Sequence, residues 1–137
     1  MGVLPHRYPF LLVDTLDLTV PGRVAVGTKR VTGSEWFAQA SGSQIVTMPN
    51  MIVVEALAQT SAALLADLAK DTPGAIGYFA AIRRVRCRGS VRAGDLLTLT
   101  VELQSFKRGI AQLNGVATVN DVACVRAEFT TVIRQRD

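Results

Sequence analysis

Met48-Pro49-Asn50-Met51-Ile52-Val53-Val54-Glu55-Ala56-Leu57-Ala58-Gln59 opens a run of Ala, Leu, Met, Glu and Gln that continues to Lys70. Proline beside a first helical position, followed by good helix formers, predicts a helix over Pro49–Lys70, ended by Asp71-Thr72-Pro73-Gly74. Ile52, Val53, Val54, Leu57, Ala58, Ala62, Ala63, Leu64 and Leu65 cover nearly the whole circumference, so the helix is expected to be buried on all sides rather than amphipathic. Glu55 is the one acid in its first turns, placed where an ionisable group is either a hydrogen-bonded core carboxylate or a participant in proton transfer.

Outward from this helix the pattern changes to alternation. Phe10–Val20 and Arg23–Val31 read as strands joined by a turn at Pro21-Gly22, an opening hairpin. Gly33–Met48 follows neither period and reads as a short turn around Glu35-Trp36-Phe37 followed by a loop. After the helix come Ile76–Ile82, Arg84–Arg88, Leu96–Phe106, Ile110–Val119 and Val122–Ile133. The connectors Lys107-Arg108-Gly109 and Asn120-Asp121 are of hairpin length, and Asn and Asp tolerate positive φ. One long helix with about six strands, mostly in an antiparallel meander, predicts an α+β class in which a curved sheet wraps the helix.

The 137 residues suit one domain, 1–137, and a composition of 49% hydrophobic and 19% charged residues excludes a disordered chain. The longest apolar stretches fall short of the ~20 residues that span a bilayer, and Met1–His6 shows no secretory signal, so a soluble, cytoplasmic protein without a membrane partner is expected. Cys87 and Cys124 are far apart in alternating segments and read as small buried hydrophobes, with no metal site.

Leu4-Pro5-His6-Arg7-Tyr8-Pro9-Phe10-Leu11-Leu12-Val13-Asp14 resembles the amino-terminal signature of the FabZ-type β-hydroxyacyl-acyl-carrier-protein dehydratases. Met48–Gln59 is similar to that family's Pro-Gly-Val-Leu-x-x-Glu-Ala-x-Ala-Gln helix, and Tyr78–Ile82, Gly94-Asp95 and Lys107-Arg108-Gly109 resemble its later strands, all in family order. The resemblance implies a hot-dog fold. It also implies a reaction on acyl thioesters in fatty-acid or polyketide-type biosynthesis, with no cofactor, the substrate riding on the phosphopantetheine of acyl carrier protein or on coenzyme A.

The family's catalytic pair joins the helix acid, here Glu55, to a histidine in a Gly-His-Phe-Pro-Gly motif. Counting back from Glu55 without gaps, that histidine's place is taken by Ser41, in Gln39-Ala40-Ser41-Gly42-Ser43-Gln44. A serine hydroxyl does not replace an imidazole of pKa ~6.5 as a base. The family also holds the thioester oxygen on a backbone N–H at the helix start, where this chain has Asn50 in place of glycine. His6, the sole histidine, corresponds to the amino-terminal motif and not to the catalytic pair. Further departures are Ala81-Ile82-Arg83 for the family's Gly-Ile-Asp or Gly-Ile-Asn, and Gly89-Ser90-Val91 where a proline is usual.

Met51, Tyr78 and Phe79 are the residues expected to line the acyl chain's path. The net charge of +4 is concentrated around Arg83-Arg84-Val85-Arg86-Cys87-Arg88, where alternation would put Arg84, Arg86 and Arg88 on one face with Val85 and Cys87 inward. That face reads either as a solvated strand that deters edge pairing or as a docking surface for acidic acyl carrier protein. No nucleic-acid partner is expected, because aromatics are not interleaved with the basic residues as stacking platforms.

Family subunits pair, each site taking its histidine from one chain and its acid from the other, which implies a homodimer or a heterodimer with a histidine-bearing paralogue. Three functions stay open: a dehydratase impaired alone or acting in a heterodimer, a hot-dog thioesterase using Glu55, and a non-catalytic acyl-binding or assembly subunit.

Overall fold

The structure, a computed structural model, describes residues 12–32, 39–40, 46–69 and 74–135. The elements are β1 (Thr15–Val20), β2 (Val24–Arg30), β3 (Gln39–Ala40), β4 (Val46–Met48), α1 (Asn50–Leu68), β5 (Ala75–Cys87), β6 (Val91–Arg92), β7 (Leu96–Lys107), β8 (Ile110–Val119) and β9 (Val122–Gln135). Six strands form one antiparallel sheet in the order β1-β2-β7-β8-β9-β5, and β3, β4 and β6 form a small second sheet. This is the curved sheet around a central helix that the sequence predicts. Two boundaries differ. Part of the expected loop before the helix is extended as β3 and β4, and the two strands expected over 76–88 are one 13-residue strand, β5.

Tight turns account for the meander. Arg108 (φ 53°) and Gly109 (φ 78°) join β7 to β8, and Asn120 (φ 51°) and Asp121 (φ 65°) join β8 to β9. Two successive left-handed residues give the turn whose twist matches antiparallel strands. Alternate residues then share a face: Leu97, Leu99 and Val101 of β7, Leu113 and Ala117 of β8, and Val125, Ala127 and Phe129 of β9 are buried against α1. Each such Leu or Phe contributes about 1.5–3 kcal/mol through removal from water.

Gly27 on β2 lets the helix approach closely. A Cβ there would lie 2.8 Å from Thr60 Oγ1 and 2.9 Å from Val13 Cγ1. Gly27→Ala is therefore expected to destabilise by about 1–3 kcal/mol through overpacking, read as a lower urea midpoint at unchanged slope. The amino-terminal segment is tied to the same helix: the Leu12 N–H donates to Gln59 Oε1 at 2.8 Å, and Gln59 is fully buried.

The expectation of burial on all sides of the helix is corrected. Met51 is 68% exposed, Glu55 and Ala62 are half-buried and Ala66 is exposed. At 100° per residue these four fall in one narrow stripe. One sheet covers only the opposite side of a helix, so a stripe of this kind stays open within a single chain. The helix also runs longer than the apolar stretches read from the sequence. Its 19 residues are long and apolar enough to cross a membrane, yet most of the span is buried inside the fold, as a core helix requires.

Candidate functional site

The site is built from the start of α1 upward. Pro49 precedes the helix with φ −57° and ψ 142°, and its carbonyl accepts from Ile52 N–H (3.0 Å) and Val53 N–H (3.2 Å). The N–H groups of Asn50 and Met51 thus stand outside the intrahelical ladder, at the positive end of the helix dipole. No acid occupies the first turn to neutralise that end. Glu55 follows five residues later and shares the uncovered stripe with Met51, one turn away. The start of α1 thus holds the Asn50 N–H at its tip, with Met51 and Glu55 following on the exposed stripe.

Among the described residues β5 is an edge strand of the main sheet, paired only with β9. Its register places Phe79 opposite Thr131 and Ile82 opposite Phe129. The Phe129 ring and Leu57 both lie against Gly115, so Ile82 stands at the level of Leu57. Tyr78 and Phe79 precede Ile82 by four and three residues in the same strand, with their backbones paired to Val132 and Thr131. Ser41 and His6 lie outside the described residues.

The basic segment departs from simple alternation. The β5–β9 register shifts between Arg83 and Arg86, inserting Arg84, with φ 53°, and Val85. Val85 is 40% exposed and Cys87 is exposed, so neither is the buried residue that alternation predicts, although Cys87 stands opposite the buried Val125 and so keeps the core side of the strand. The bulge puts Arg83 and Arg86, three residues apart, on the same face. Arg84, Arg86 and Arg88 are all exposed, and the Arg84 guanidinium lies 3.4 Å from the Glu128 carboxylate. Arg126, which the sequence reading passed over, stands directly opposite Arg86. Its position on the polar side of β9, alternating with Val125 and Ala127, is the signal that would have found it.

Of the two cysteines, only Cys124 is the buried hydrophobe expected of both. Its thiol contacts the Ala117 carbonyl at 3.3 Å, and burial pushes it above the ordinary thiol range, so it stays protonated. Among the described residues no three His, Cys, Asp or Glu side chains gather as metal ligands.

Comparison with known proteins bears on this geometry. Residues 4–128 match the family model described as a FabA-like domain. The chain is 40% identical over 136 residues to the 3-hydroxyacyl-[acyl-carrier-protein] dehydratase FabZ of Syntrophotalea carbinolica, covering 99% of this chain and 92% of that one. It is 45% identical over 125 residues to FabZ of Roseiflexus castenholzii, covering 90% and 87%. Among solved structures it resembles the dehydratase heterocomplex ApeI:P from Xenorhabdus doucetiae (TM-score 0.77, 18% identity, 98% of this chain and 89% of that one). It also resembles a hypothetical thioesterase with coenzyme A from Streptococcus pneumoniae TIGR4 (TM-score 0.69, 16% identity, 91% of each). At such identities these structures speak for the hot-dog fold alone.

Proposed function

The chain belongs to the FabA-like domain family, and from that premise we propose that it supplies the acid half of a 3-hydroxyacyl-thioester dehydratase whose histidine comes from a second, paralogous chain. The observation that carries this reading is the open stripe of α1, where Glu55 stands one turn and a half from the Asn50 N–H on the side the chain's own sheet leaves uncovered. The FabZ relatives support the substrate, a thioester on acyl carrier protein. A hot-dog neighbour that is a dehydratase heterocomplex supports the pairing of unlike chains.

In this reading the partner sits along the free edge of β5, where Ile82 is 46% and Val85 40% exposed, and across Met51. Among the described residues the outer edge of this 13-residue strand is unpaired, a ready template for another strand. The Asn50 N–H accepts the developing negative charge on the thioester oxygen as the C2 proton leaves. The partner's imidazole takes that proton, and the Glu55 carboxyl handles the proton that departs with the C3 hydroxyl as water. Ser41 contributes no base here. Met51, Tyr78 and Phe79 receive the acyl chain, and Arg84, Arg86 and Arg88 meet the acidic carrier, whose encounter rate complementary charge raises.

The test is co-expression with a histidine-bearing FabZ-type chain encoded in the same genome, followed by assays of enoyl-thioester hydration and thiol release. The complex is expected to hydrate the enoyl thioester, and Glu55→Gln in this chain is expected to lower that rate by about 10²–10⁴-fold. Undiminished activity with Glu55→Gln would sink the role of Glu55. Thiol release by this chain alone, lost in Glu55→Gln, would replace the proposal with a thioesterase.

A further inference from the structure

The outer face of the sheet carries an arrangement that the chemistry at Glu55 does not use. Antiparallel register sets Arg86 of β5 opposite Arg126 of β9, and Arg126 opposite Val116 of β8. The neighbouring row sets Arg83 opposite Glu128 and Glu128 opposite Asn114. Side chains so opposed share a face with Cβ atoms about 4.5–5.5 Å apart, and like charges at that spacing repel. Glu128 is the acid nearest the pair in these rows, and Arg84 already holds its carboxylate; the next acid along that row, Glu102 of β7, stands beyond Asn114. Among the described residues no ion pair joins Arg86 or Arg126. Both arginines line two adjoining recesses. One, of about 270 Å³, includes Asn114 and Glu128; the other, of about 510 Å³, includes Cys87, Arg88 and Val122.

We infer that Arg86 and Arg126 form a binding site for a phosphate ester on the outer face of the sheet. Two guanidiniums at one cross-strand spacing match a dianion with paired N–H donors, and binding it converts their repulsion into shared attraction. The larger recess leads from the pair to Arg88 at the end of β5. Val91 lies three residues beyond Arg88 and is paired with Met48, two residues before Asn50. Followed along the chain, the route from Arg86 to Asn50 is at most about 30 Å, which bounds the distance that an arm anchored by its phosphate at the arginine pair has to cover. The identity of the ester rests on the proposed pantetheine-thioester substrate. Two sources share its chemistry, free coenzyme A and the phosphodiester of a holo-acyl carrier protein.

Calorimetric titration at low ionic strength separates them with four probes: coenzyme A against pantetheine, and holo-carrier against apo-carrier. At least one phosphorylated probe is expected to bind tenfold or more tightly than its phosphate-free counterpart, with the advantage lost in Arg86→Gln/Arg126→Gln and falling as salt rises. An advantage for coenzyme A identifies the free coenzyme as a ligand, and one confined to the holo-carrier identifies the carrier's arm. Equal binding with and without phosphate, retention of the advantage in the double variant, or no binding by any probe overturns the site. The ligand-free Arg126→Gln protein gives an independent readout. Losing one of two like charges is expected to raise Tm by roughly a few degrees, whereas a fall in Tm would mean that the pair is structural and would overturn the inference. These measurements need no turnover. Enoyl hydration by the heteromeric complex with phosphate-independent binding would remove this site alone, and phosphate-dependent binding without hydration would remove the proposed function alone.

Discussion

Ser41→His is expected to raise enoyl-thioester hydration by this chain, assayed without a partner, by about 10²–10⁴-fold, the range a positioned general acid–base contributes. In the proposed function this chain supplies Glu55, on the exposed stripe of α1, and the Asn50 N–H at the tip of the helix, and the base is the element to be restored. A serine hydroxyl titrates far above neutrality, whereas an imidazole with pKa ~6.5 exchanges protons at the working pH. Adding Glu55→Gln to Ser41→His should return the rate to background, because the two groups act on one elimination and their effects are not additive. The assay is loss of enoyl absorbance with acyl-carrier and coenzyme A thioesters run side by side. A Ser41→His chain that pairs with itself yet gains nothing would show that more than the base has been lost.

Phe129→Ala is expected to cost about 3–5 kcal/mol of stability, the largest single effect in the core. Phe129 is fully buried in β9, opposite Leu113 of β8 and Ile82 of β5, and its ring lies 3.1 Å from where a Cβ on Gly115 would stand. Leu57 of α1 reaches the same glycine, so the ring holds helix and sheet together. Removing it leaves a cavity between two rigid layers, where collapse is limited. Urea denaturation should show a markedly lower midpoint, and enough weakening to leave the chain partly unfolded at 37 °C is within the usual margin of a domain this size. A loss below about 1 kcal/mol would mean that helix and sheet are not packed through this residue.

Legibility varied with the physics of each feature. The two hairpin turns were readable because Arg108-Gly109 and Asn120-Asp121 adopt backbone angles that few residue types tolerate. The alternation of Leu97, Leu99 and Val101 gave the buried face of β7 directly. The basic strand was misread because period two holds only while register holds. The bulge that inserts Arg84 and Val85 breaks the alternation, Val85 and Cys87 are exposed rather than buried, and a bulge in β5 leaves no mark in composition. Similarity to the dehydratase motifs marked Glu55, Asn50 and Ser41 as candidates because those motifs are local; Glu55 and Asn50 lie at the start of α1, and Ser41 lies outside the described residues. Arg126 escaped the sequence reading because its significance depends on a neighbour 40 positions away in the chain.

By itself the sequence determined the class of fold, the helix that carries Glu55, the inward faces of the long strands and the family, since each is written in short-range periodicity or contiguous motifs. Only the tertiary structure decided that one stripe of the helix stays open, and that Arg86 and Arg126 face each other across β5 and β9. Exposure of a helix face depends on how far a sheet can wrap it, and opposition of two side chains depends on strand register, both of which arise only when distant segments pair.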